Sequence, residues 1–269
     1  MAHWVSIVQN AIASALNNSA PNRLKNQQSS RSDDPHDFLA SLVQQDAANK
    51  LCADCDAEDP DWASINLGIL ICIDCSGVHR RLGTHISKVR STTLDSWDKE
   101  LRRLMQGIGN STGNRVFEHS LPPGTKITPK STVEERSIFI KNKYEFHLYI
   151  ERTPASPMAL LDAARDNNLG AILSQIARGI NINYQCEDAA NLSAIHIAVM
   201  EGHVAACDLF LQNGADCNVL DSGRWTPLHH GAYLNRVDCV ILLIRRGAKL
   251  TLLDKSSRVR RPPSSCIGY

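Results

Sequence analysis

The chain lacks any apolar run that approaches the roughly 20 residues of a membrane-spanning helix. It also lacks a marked excess of charge, since 29 basic residues face 28 acidic ones and leave a net charge of +1. The bulk charge of the molecule therefore does not favour a polyanion, and any basic surface has to be local. The N-terminus shows no basic segment followed by an apolar core and a small-residue cleavage site, so no signal peptide is predicted.

The composition is otherwise that of an ordinary globular chain. The 269 residues, 43% of them hydrophobic and 21% charged, are enough for one large domain or two of usual size. Nine cysteines are many for such a chain. Their odd number and their CxxC clustering favour metal ligands and free thiols over a disulfide framework, which indicates a reducing compartment such as the cytoplasm.

Four of the cysteines form two CxxC pairs separated by sixteen residues: Cys52, Cys55, Cys72 and Cys75. This spacing is typical of a zinc site, in which each pair turns two sulfur atoms towards one ion. A chance spacing and an iron or redox dithiol site are the alternatives, although two matched pairs favour zinc over redox chemistry. One zinc ion held by four thiolates has no position left for substrate, so a structural role is expected.

Apolar periodicity and turn residues predict an α+β module around these cysteines. We expect a helix over 36–48, a strand or hairpin over 62–72, a short helix over 76–83 that ends at Gly83, and a strand over 88–94. A helix that contains Trp97 and Ile108 should stop at residues 107–110. A capping box at Ser131–Glu134 opens another helix, with one side formed by Val133, Ser137, Ile140, Tyr144 and Leu148.

A basic segment follows the second CxxC pair. Residues 76–90 contain no acidic residue and four basic ones: Arg80, Arg81, Lys88 and Arg90. Three interpretations are open: a DNA-binding finger with a basic helix, an arginine directed at the phosphates of a protein-bound nucleotide, and a solvated basic face. Two histidines in this segment could be supposed zinc ligands, but with four thiols present we expect local hydrogen bonds for His79 and His85.

The pattern changes from about residue 157. Ser193–His196 and Thr226–His229 are 33 residues apart, as are Gly214 and Gly247, and a weaker earlier copy is offset by 35 because of an insertion near 185–191. This period, with its TPLH turn, resembles the ankyrin repeat and predicts an all-α solenoid of about three repeats. In such turns Thr and His bond the helix start, and Gly after the second helix takes a left-handed conformation.

The segment Trp62–Ser91, continued by Leu94-Asp95 and Trp97, resembles the zinc module of GTPase-activating proteins for ADP-ribosylation factors (Arf). The resemblance covers about residues 36–150, and its long motif is highly specific. The ankyrin repeats that follow restrict the resemblance to the ankyrin-bearing branch of this family. An apolar helix over residues 1–16 is similar to the closing helix of a pleckstrin-homology (PH) domain, which suggests the coiled-coil/PH/ankyrin (centaurin-beta-like) subtype with its front half missing.

The resemblance implies roles for single residues. In that family the catalytic arginine finger is separated from the last zinc cysteine by four residues, and here that position is Arg80, after Cys75. Trp62 is implied as an exposed anchor on the partner-binding face. Two roles are open for Arg90: pairing within the domain and contact with the GTPase. One departure is Thr92, where the family usually carries an aliphatic residue, and we expect slightly weaker packing there.

The predicted organisation is an α+β zinc module followed by an all-α ankyrin solenoid. Its parts are a PH-like helix (1–16), a linker (17–35), the zinc-finger domain (36–155), the ankyrin repeats (156–255) and a disordered tail (256–269). The implied function is a GTPase activator whose partner is an Arf GTPase in its GTP form, at endosomal or plasma membranes, with no nucleic acid and no strong membrane binding by the chain alone. The alternatives are a non-catalytic adaptor and a zinc-finger DNA-binding protein.

Overall fold

The computed structural model describes residues 35–250. The predicted N-terminal helix, the linker up to residue 34 and the predicted tail lie outside the described residues. The described residues form two compact units. The first, which we call the cysteine unit, comprises residues 35–156 and 169–180, and the second, the repeat unit, comprises residues 157–168 and 181–250. No helix in residues 35–250 is long and apolar enough to cross a membrane.

The helices and strands are short and separated by turns. The α-helices of the described residues are α1 (Pro35–Gln45), α2 (Ile73–Leu82), α3 (Lys99–Phe117), α4 (Val133–Tyr144), α5 (Pro157–Arg165), α6 (Leu169–Ala177), α7 (Ala194–Glu201), α8 (Val204–Gln212), α9 (Pro227–Tyr233) and α10 (Val237–Arg245). The strands are β1 (Trp62–Ser64), β2 (Ile69–Ile71), β3 (Val89–Ser91), β4 (Gln185–Cys186) and β5 (Leu192–Ser193). Single 3-10 turns occur at Ala47–Lys50 and Glu187–Ala189.

A small antiparallel sheet lies at the centre of the cysteine unit. Strand β1 is in the middle, with β2 and β3 on its two sides, so that Trp62 lies opposite Ile71 on one edge and Ser91 on the other. The predicted hairpin between the CxxC pairs is therefore confirmed. The predicted strand over 88–94 is limited to Val89–Ser91.

Helix α2 starts earlier than the sequence pattern predicts. It begins at Ile73, because Cys72 has the extended backbone of a cap residue, and Cys75 therefore lies in its first turn. It ends, as predicted, at Gly83, whose φ of 91° is strained for other residues. The helix thus runs directly from the cysteines to the basic segment.

The predicted stop at residues 107–110 is a kink within α3. Gly109 has non-helical angles (φ 73°, ψ 171°), and the helix then resumes and runs to Phe117. The kink lets the buried side chain of Asn110 accept a hydrogen bond from the Leu70 amide and donate to the carbonyls of Leu51 and Leu70. The glycine therefore allows one amide to connect α3 with the sheet.

Helix α4 corrects two predictions. Its capping box consists of Thr132 and Glu135, one residue after the predicted pair. The predicted apolar side is right for Ile140 and Tyr144, which are buried, and wrong at its two ends, since Val133 is 59% and Leu148 is 43% exposed. The buried side is formed by Arg136, Phe139, Ile140, Lys143 and Tyr144. Two basic residues occupy the buried side because the cysteine unit provides their partners.

The repeat unit has the predicted caps. His196 Nδ1 accepts from the Ser193 amide at 3.2 Å, and His229 Nδ1 accepts from the Thr226 amide at 3.1 Å. Gly214 and Gly247 both have a φ of 93°, as expected for left-handed caps after α8 and α10. The insertion near 185–191 forms a short hairpin in which β4 pairs with β5.

A histidine pair is buried within the repeat unit. His196 is fully buried, and its Nε2 donates to the Trp225 carbonyl at 3.1 Å. The ring of His230 lies 5.6 Å away, and its Nε2 is 2.8 Å from the Asp221 carboxylate. Burial, together with the neighbouring His230, lowers the pKa of His196 from 6.5 to about 4. His196 is therefore neutral in the folded unit at physiological pH.

The depressed pKa of His196 predicts a loss of stability in acid. Below pH 6.5 the unfolded chain binds a proton at this residue that the folded unit excludes, so stability falls as the pH falls from about 6.5 to 4. We expect this residue to account for about 2 kcal/mol between pH 7.5 and 5. Hydrogen exchange of α9, corrected for the intrinsic pH dependence, measures this loss. In His196→Gln the loss should be smaller, and an equal loss in both proteins would contradict the assignment.

Candidate metal centre and arginine surface

The four predicted zinc ligands lie together in the cysteine unit. The sulfur atoms of Cys52, Cys55, Cys72 and Cys75 all lie within 4.8 Å of one another, and those of Cys55 and Cys72 are 3.6 Å apart. A zinc–sulfur bond of about 2.3 Å places tetrahedral sulfur ligands about 3.8 Å apart. The number, chemistry and spacing of these donors therefore fit one zinc ion.

The surroundings of the four cysteines favour a closed site. All four are buried, with Cys72 the most exposed at 9%. Arg136, from the buried side of α4, has Nη1 3.4 Å from the Cys75 sulfur, and its Nη2 donates to the Pro129 carbonyl. Four thiolates around a divalent ion carry an excess of negative charge, and this guanidinium offsets part of it. No motif in the sequence indicates this role for Arg136.

A buried carboxylate lies between the cysteines of the first pair. Asp54 is fully buried, and it accepts hydrogen bonds from Lys143 at 3.0 Å, Tyr144 at 2.9 Å and His79 at 2.9 Å. Burial alone would raise the pKa of Asp54, but the charge of Lys143 and the bond from His79 lower it well below its ordinary value. The carboxylate is therefore ionised and paired at physiological pH.

Lys143 connects this carboxylate with two helices and the first CxxC turn. Its ammonium group is fully buried and also donates to the Ala53 carbonyl at 2.9 Å, to Asn114 at 2.9 Å and to Glu118 at 2.6 Å. Asn114 lies on α3, and Glu118 is the first residue after that helix. One side chain of α4 thus holds α3 and the cysteine turn in a fixed arrangement, which the sequence analysis did not predict.

His79 makes hydrogen bonds and does not belong to the cysteine cluster, but its partners are not local in the sequence, in contrast to the prediction. It is fully buried, with Nε2 towards Asp54 and Nδ1 2.8 Å from the Ser87 hydroxyl. The arrangement has the three side chains of a Ser-His-Asp hydrolase. Ser87, however, is only 2% exposed, so its hydroxyl is not accessible to a substrate and the group is structural.

Arg80 occupies the last turn of α2, one residue after the buried His79. Its side chain is exposed, and its guanidinium carbon lies 4.2 Å from the centre of the Trp62 ring. This is a cation–π contact of the kind that stabilises exposed arginines by about 0.5–1 kcal/mol. Arg81, the next residue, is also exposed. The structure therefore brings together two of the predicted site residues, Arg80 and Trp62.

Arg90 has an internal partner. It lies on β3, opposite Ala63 of β1, and its Nη1 donates to the Ser96 carbonyl at 2.7 Å. The following Thr92 is fully buried, and both its amide and its hydroxyl donate to the Asp61 carbonyl. The polar Thr92 is thus accommodated by the residue before Trp62. Leu94, in the next turn, is 82% exposed, a feature that the sequence pattern did not indicate.

A buried four-cysteine cluster with an exposed arginine on the adjoining helix, and a set of ankyrin-like helix pairs, define a zinc-finger module with a repeat domain. Residues 36–153 match the family described as "Putative GTPase activating protein for Arf". Residues 160–254 match the family described as "Ankyrin repeats (3 copies)". The chain thus carries an ArfGAP domain followed by ankyrin repeats, and the predicted resemblance is confirmed.

Among three curated relatives, two have the same combination in their names, and the third is named as an activator only. "Arf-GAP with coiled-coil, ANK repeat and PH domain-containing protein 2" from Gallus gallus is 29% identical over 76% of this chain and 38% of its own length. Protein 3 of the same series from Homo sapiens is 39% identical over 57% of this chain and 21% of its own length. "ADP-ribosylation factor GTPase-activating protein AGD2" from Arabidopsis thaliana is 30% identical over 81% of this chain and 36% of its own length. The chain therefore spans less than half the length of these relatives.

The cysteine cluster predicts one bound zinc ion. Native mass spectrometry of the full chain should show one zinc, lost on treatment with a strong chelator, and the cysteine unit should then lose protection from hydrogen exchange because four thiols no longer share an ion. The repeat unit serves as the internal control and should keep its protection. An unchanged mass after chelation, in protein that remains folded, would contradict a zinc site.

The environment of Lys143 predicts a strong dependence of stability on this one charge. Lys143→Met leaves Asp54 buried without its main cation, and we expect a loss of about 3–5 kcal/mol. Lys141→Met is the matched control, since Lys141 lies on the same helix and is exposed. Scanning calorimetry of both variants measures the difference. Equal transition temperatures would show that Lys143 is not a structural cation.

Proposed function

We propose that this chain stimulates GTP hydrolysis by a small GTPase of the Arf family and contributes Arg80 to the partner's nucleotide site. The matched ArfGAP domain and the names of the relatives support the class of activity. The position of Arg80 carries the proposal at the level of residues. The guanidinium is exposed, whereas the part of α2 from which this side chain extends is buried and strongly hydrogen-bonded.

Phosphoryl transfer needs positive charge where the transition state gathers negative charge. An arginine supplied in trans accelerates such hydrolysis by on the order of 10³–10⁵-fold. The guanidinium suits this task because it is always charged and presents a planar fork of donors. The partner would supply the nucleotide, the magnesium ion and the attacking water, so the chain acts as an activator and the GTPase remains the hydrolase.

The part of α2 that carries Arg80 is held in place close to the proposed zinc site. Cys72 is the N-cap of α2 and Cys75 lies in its first turn, and His79, which directly precedes Arg80, is bonded to Asp54. The four thiolates would hold one zinc ion, which would keep the two cysteine pairs together and leave no position for substrate. A catalytic group works best when its supporting side chains do not have to reorganise.

The partner-binding surface is proposed around Arg80. Trp62 is half-buried and faces the guanidinium, so it lies where a GTPase that receives Arg80 would make contact. Leu94, 82% exposed, adds an apolar side chain after β3. For Arg90, the bond to Ser96 favours internal pairing, and its contact with the GTPase stays a prediction. We place this activity in the cytoplasm, at endosomal or plasma membranes where the GTPase resides, with no strong membrane binding by the chain alone.

The proposal predicts that a single guanidinium accounts for most of the acceleration. In single-turnover hydrolysis with a GTP-loaded Arf-family GTPase, Arg80→Ala should reduce the rate by about 10³-fold, because charge on the transferred phosphoryl group is no longer neutralised. Arg80→Lys should also lose most activity, because an ammonium group lacks the planar fork.

Arg81→Ala is the matched control for this experiment. It removes the same charge from the next residue, which is equally exposed, and should stay close to the unaltered protein. If Arg80→Ala activates as well as Arg81→Ala, the finger is another residue. If the unaltered chain binds the GTPase without accelerating hydrolysis across a panel of Arf proteins, the chain is an adaptor instead.

A further inference from the structure

A continuous line of buried hydrogen bonds lies beneath Arg80 and Trp62. We call it the buried polar chain: Asp54, His79, Ser87, Ser64 and Asn66, each at most 3% exposed. The links are 2.9 Å from Asp54 to His79, 2.8 Å from His79 to Ser87, 2.8 Å from Ser87 to Ser64 and 3.3 Å from Ser64 to Asn66. It extends from the first CxxC pair to the turn after β1.

Each member of the chain belongs to an element that places a residue of the proposed site. Asp54 lies between the cysteines, and His79 directly precedes Arg80 on α2. Ser64 is on β1, the strand that begins with Trp62. Ser87 lies in the segment that joins α2 to β3. The buried polar chain therefore connects the helix that carries Arg80 with the strand that carries the Trp62 ring.

The far end of the chain is fixed as firmly as the near end. Asn66 accepts from the Lys88 amide at 2.8 Å and donates to the Ile86 carbonyl at 2.9 Å. These two backbone groups flank Ser87. With a neutral imidazole, His79 Nε2 donates to Asp54 and Nδ1 accepts from the Ser87 hydroxyl, which leaves the Ser87 oxygen to accept from Ser64. The one Ser64 hydrogen is then given to Ser87, so the longer 3.3 Å contact between Ser64 and Asn66 is not bonded at the same time, and Asn66 is held by its bonds to Lys88 and Ile86.

Packing alone does not require such a chain, since apolar side chains would fill the same space at lower cost of desolvation. Directional bonds add a fixed geometry between elements, and in a buried environment they strengthen one another. We propose that His79 and Ser87 are positioning residues for the activity proposed above: through the buried polar chain they set the end of α2 against β1, so that the Arg80 guanidinium lies over the Trp62 ring.

The first test uses the free protein and does not depend on any GTPase. Protons on the Arg80 side chain should be shielded by the indole ring, and exchange of Trp62 for Leu should remove this shielding in an NMR spectrum. Ser87→Ala removes one hydroxyl from the middle of the chain and should also reduce the shielding. Ser76→Ala is the matched control, since Ser76 is fully buried on α2 and bonds only locally, to the Ile73 carbonyl. Equal shielding in Ser87→Ala and the unaltered protein would overturn the proposal.

The second test separates positioning from binding. With a GTP-loaded Arf-family GTPase as the varied substrate, Ser87→Ala should lower kcat by about ten- to a hundredfold, because a small displacement of a catalytic group has this effect. KM should change little, and Ser87→Thr, which keeps the hydroxyl, should recover most of kcat. A rise in KM at constant kcat, or no recovery in Ser87→Thr, would contradict a positioning role.

A folding defect does not leave the proposal undecided. Zinc content and hydrogen-exchange protection of the cysteine unit show whether Ser87→Ala is folded. If it is not, Ser64→Ala breaks the next link and leaves the bonds of His79 intact, and it should show the same loss of shielding and kcat. If Arg80→Ala activates normally while Ser87→Ala still loses the shielding, the proposed function fails and the positioning of Arg80 stands.

Discussion

The structure of the cysteine unit depends on the burial of one carboxylate. An ionised Asp54 without partners would be very costly in the interior, because its hydration is lost. Its three donors come from two helices, His79 from α2 and both Lys143 and Tyr144 from α4. These helices therefore have to meet at the first CxxC pair. The same bonds that satisfy the charge also fix the turn from which two of the proposed zinc ligands project.

In this arrangement the backbone that carries Arg80 is rigid, whereas the guanidinium at the end of its side chain is exposed. The residues beneath Arg80 are buried and bonded over several links, whereas the guanidinium itself is exposed and packs on the Trp62 ring. A contact of about 0.5–1 kcal/mol orients the side chain and is easily exchanged for stronger bonds to a phosphate. An arginine finger that enters another protein needs both properties. The conformational entropy of its backbone is lost on folding and not on binding, and its positive charge stays available for the phosphate.

The sequence predicted those features that depend on spacing or on short loops. The two CxxC pairs, the hairpin between them, the end of α2 at Gly83 and the break at Gly109 all follow from local patterns. For α4 the apolar period predicted the burial of Ile140 and Tyr144 correctly, but it placed the exposed Val133 and Leu148 inside and left the basic residues outside. Lys143 and Arg136 are buried because Asp54, Glu118 and Cys75 neutralise them, and these partners are 25 to 89 residues away in the chain.

Three histidines show which contacts a sequence pattern can predict and which it cannot. His196 and His229 bond the residue three positions earlier, so the motif itself contains donor and acceptor, and the role could be predicted. His79 bonds Asp54 and Ser87, 25 and 8 residues away, and its pattern contains neither partner. A histidine that caps its own helix stabilises one turn. A histidine that bridges separate elements determines how they are placed, and for that reason the positioning of Arg80 is a property of the whole cysteine unit and not of α2 alone.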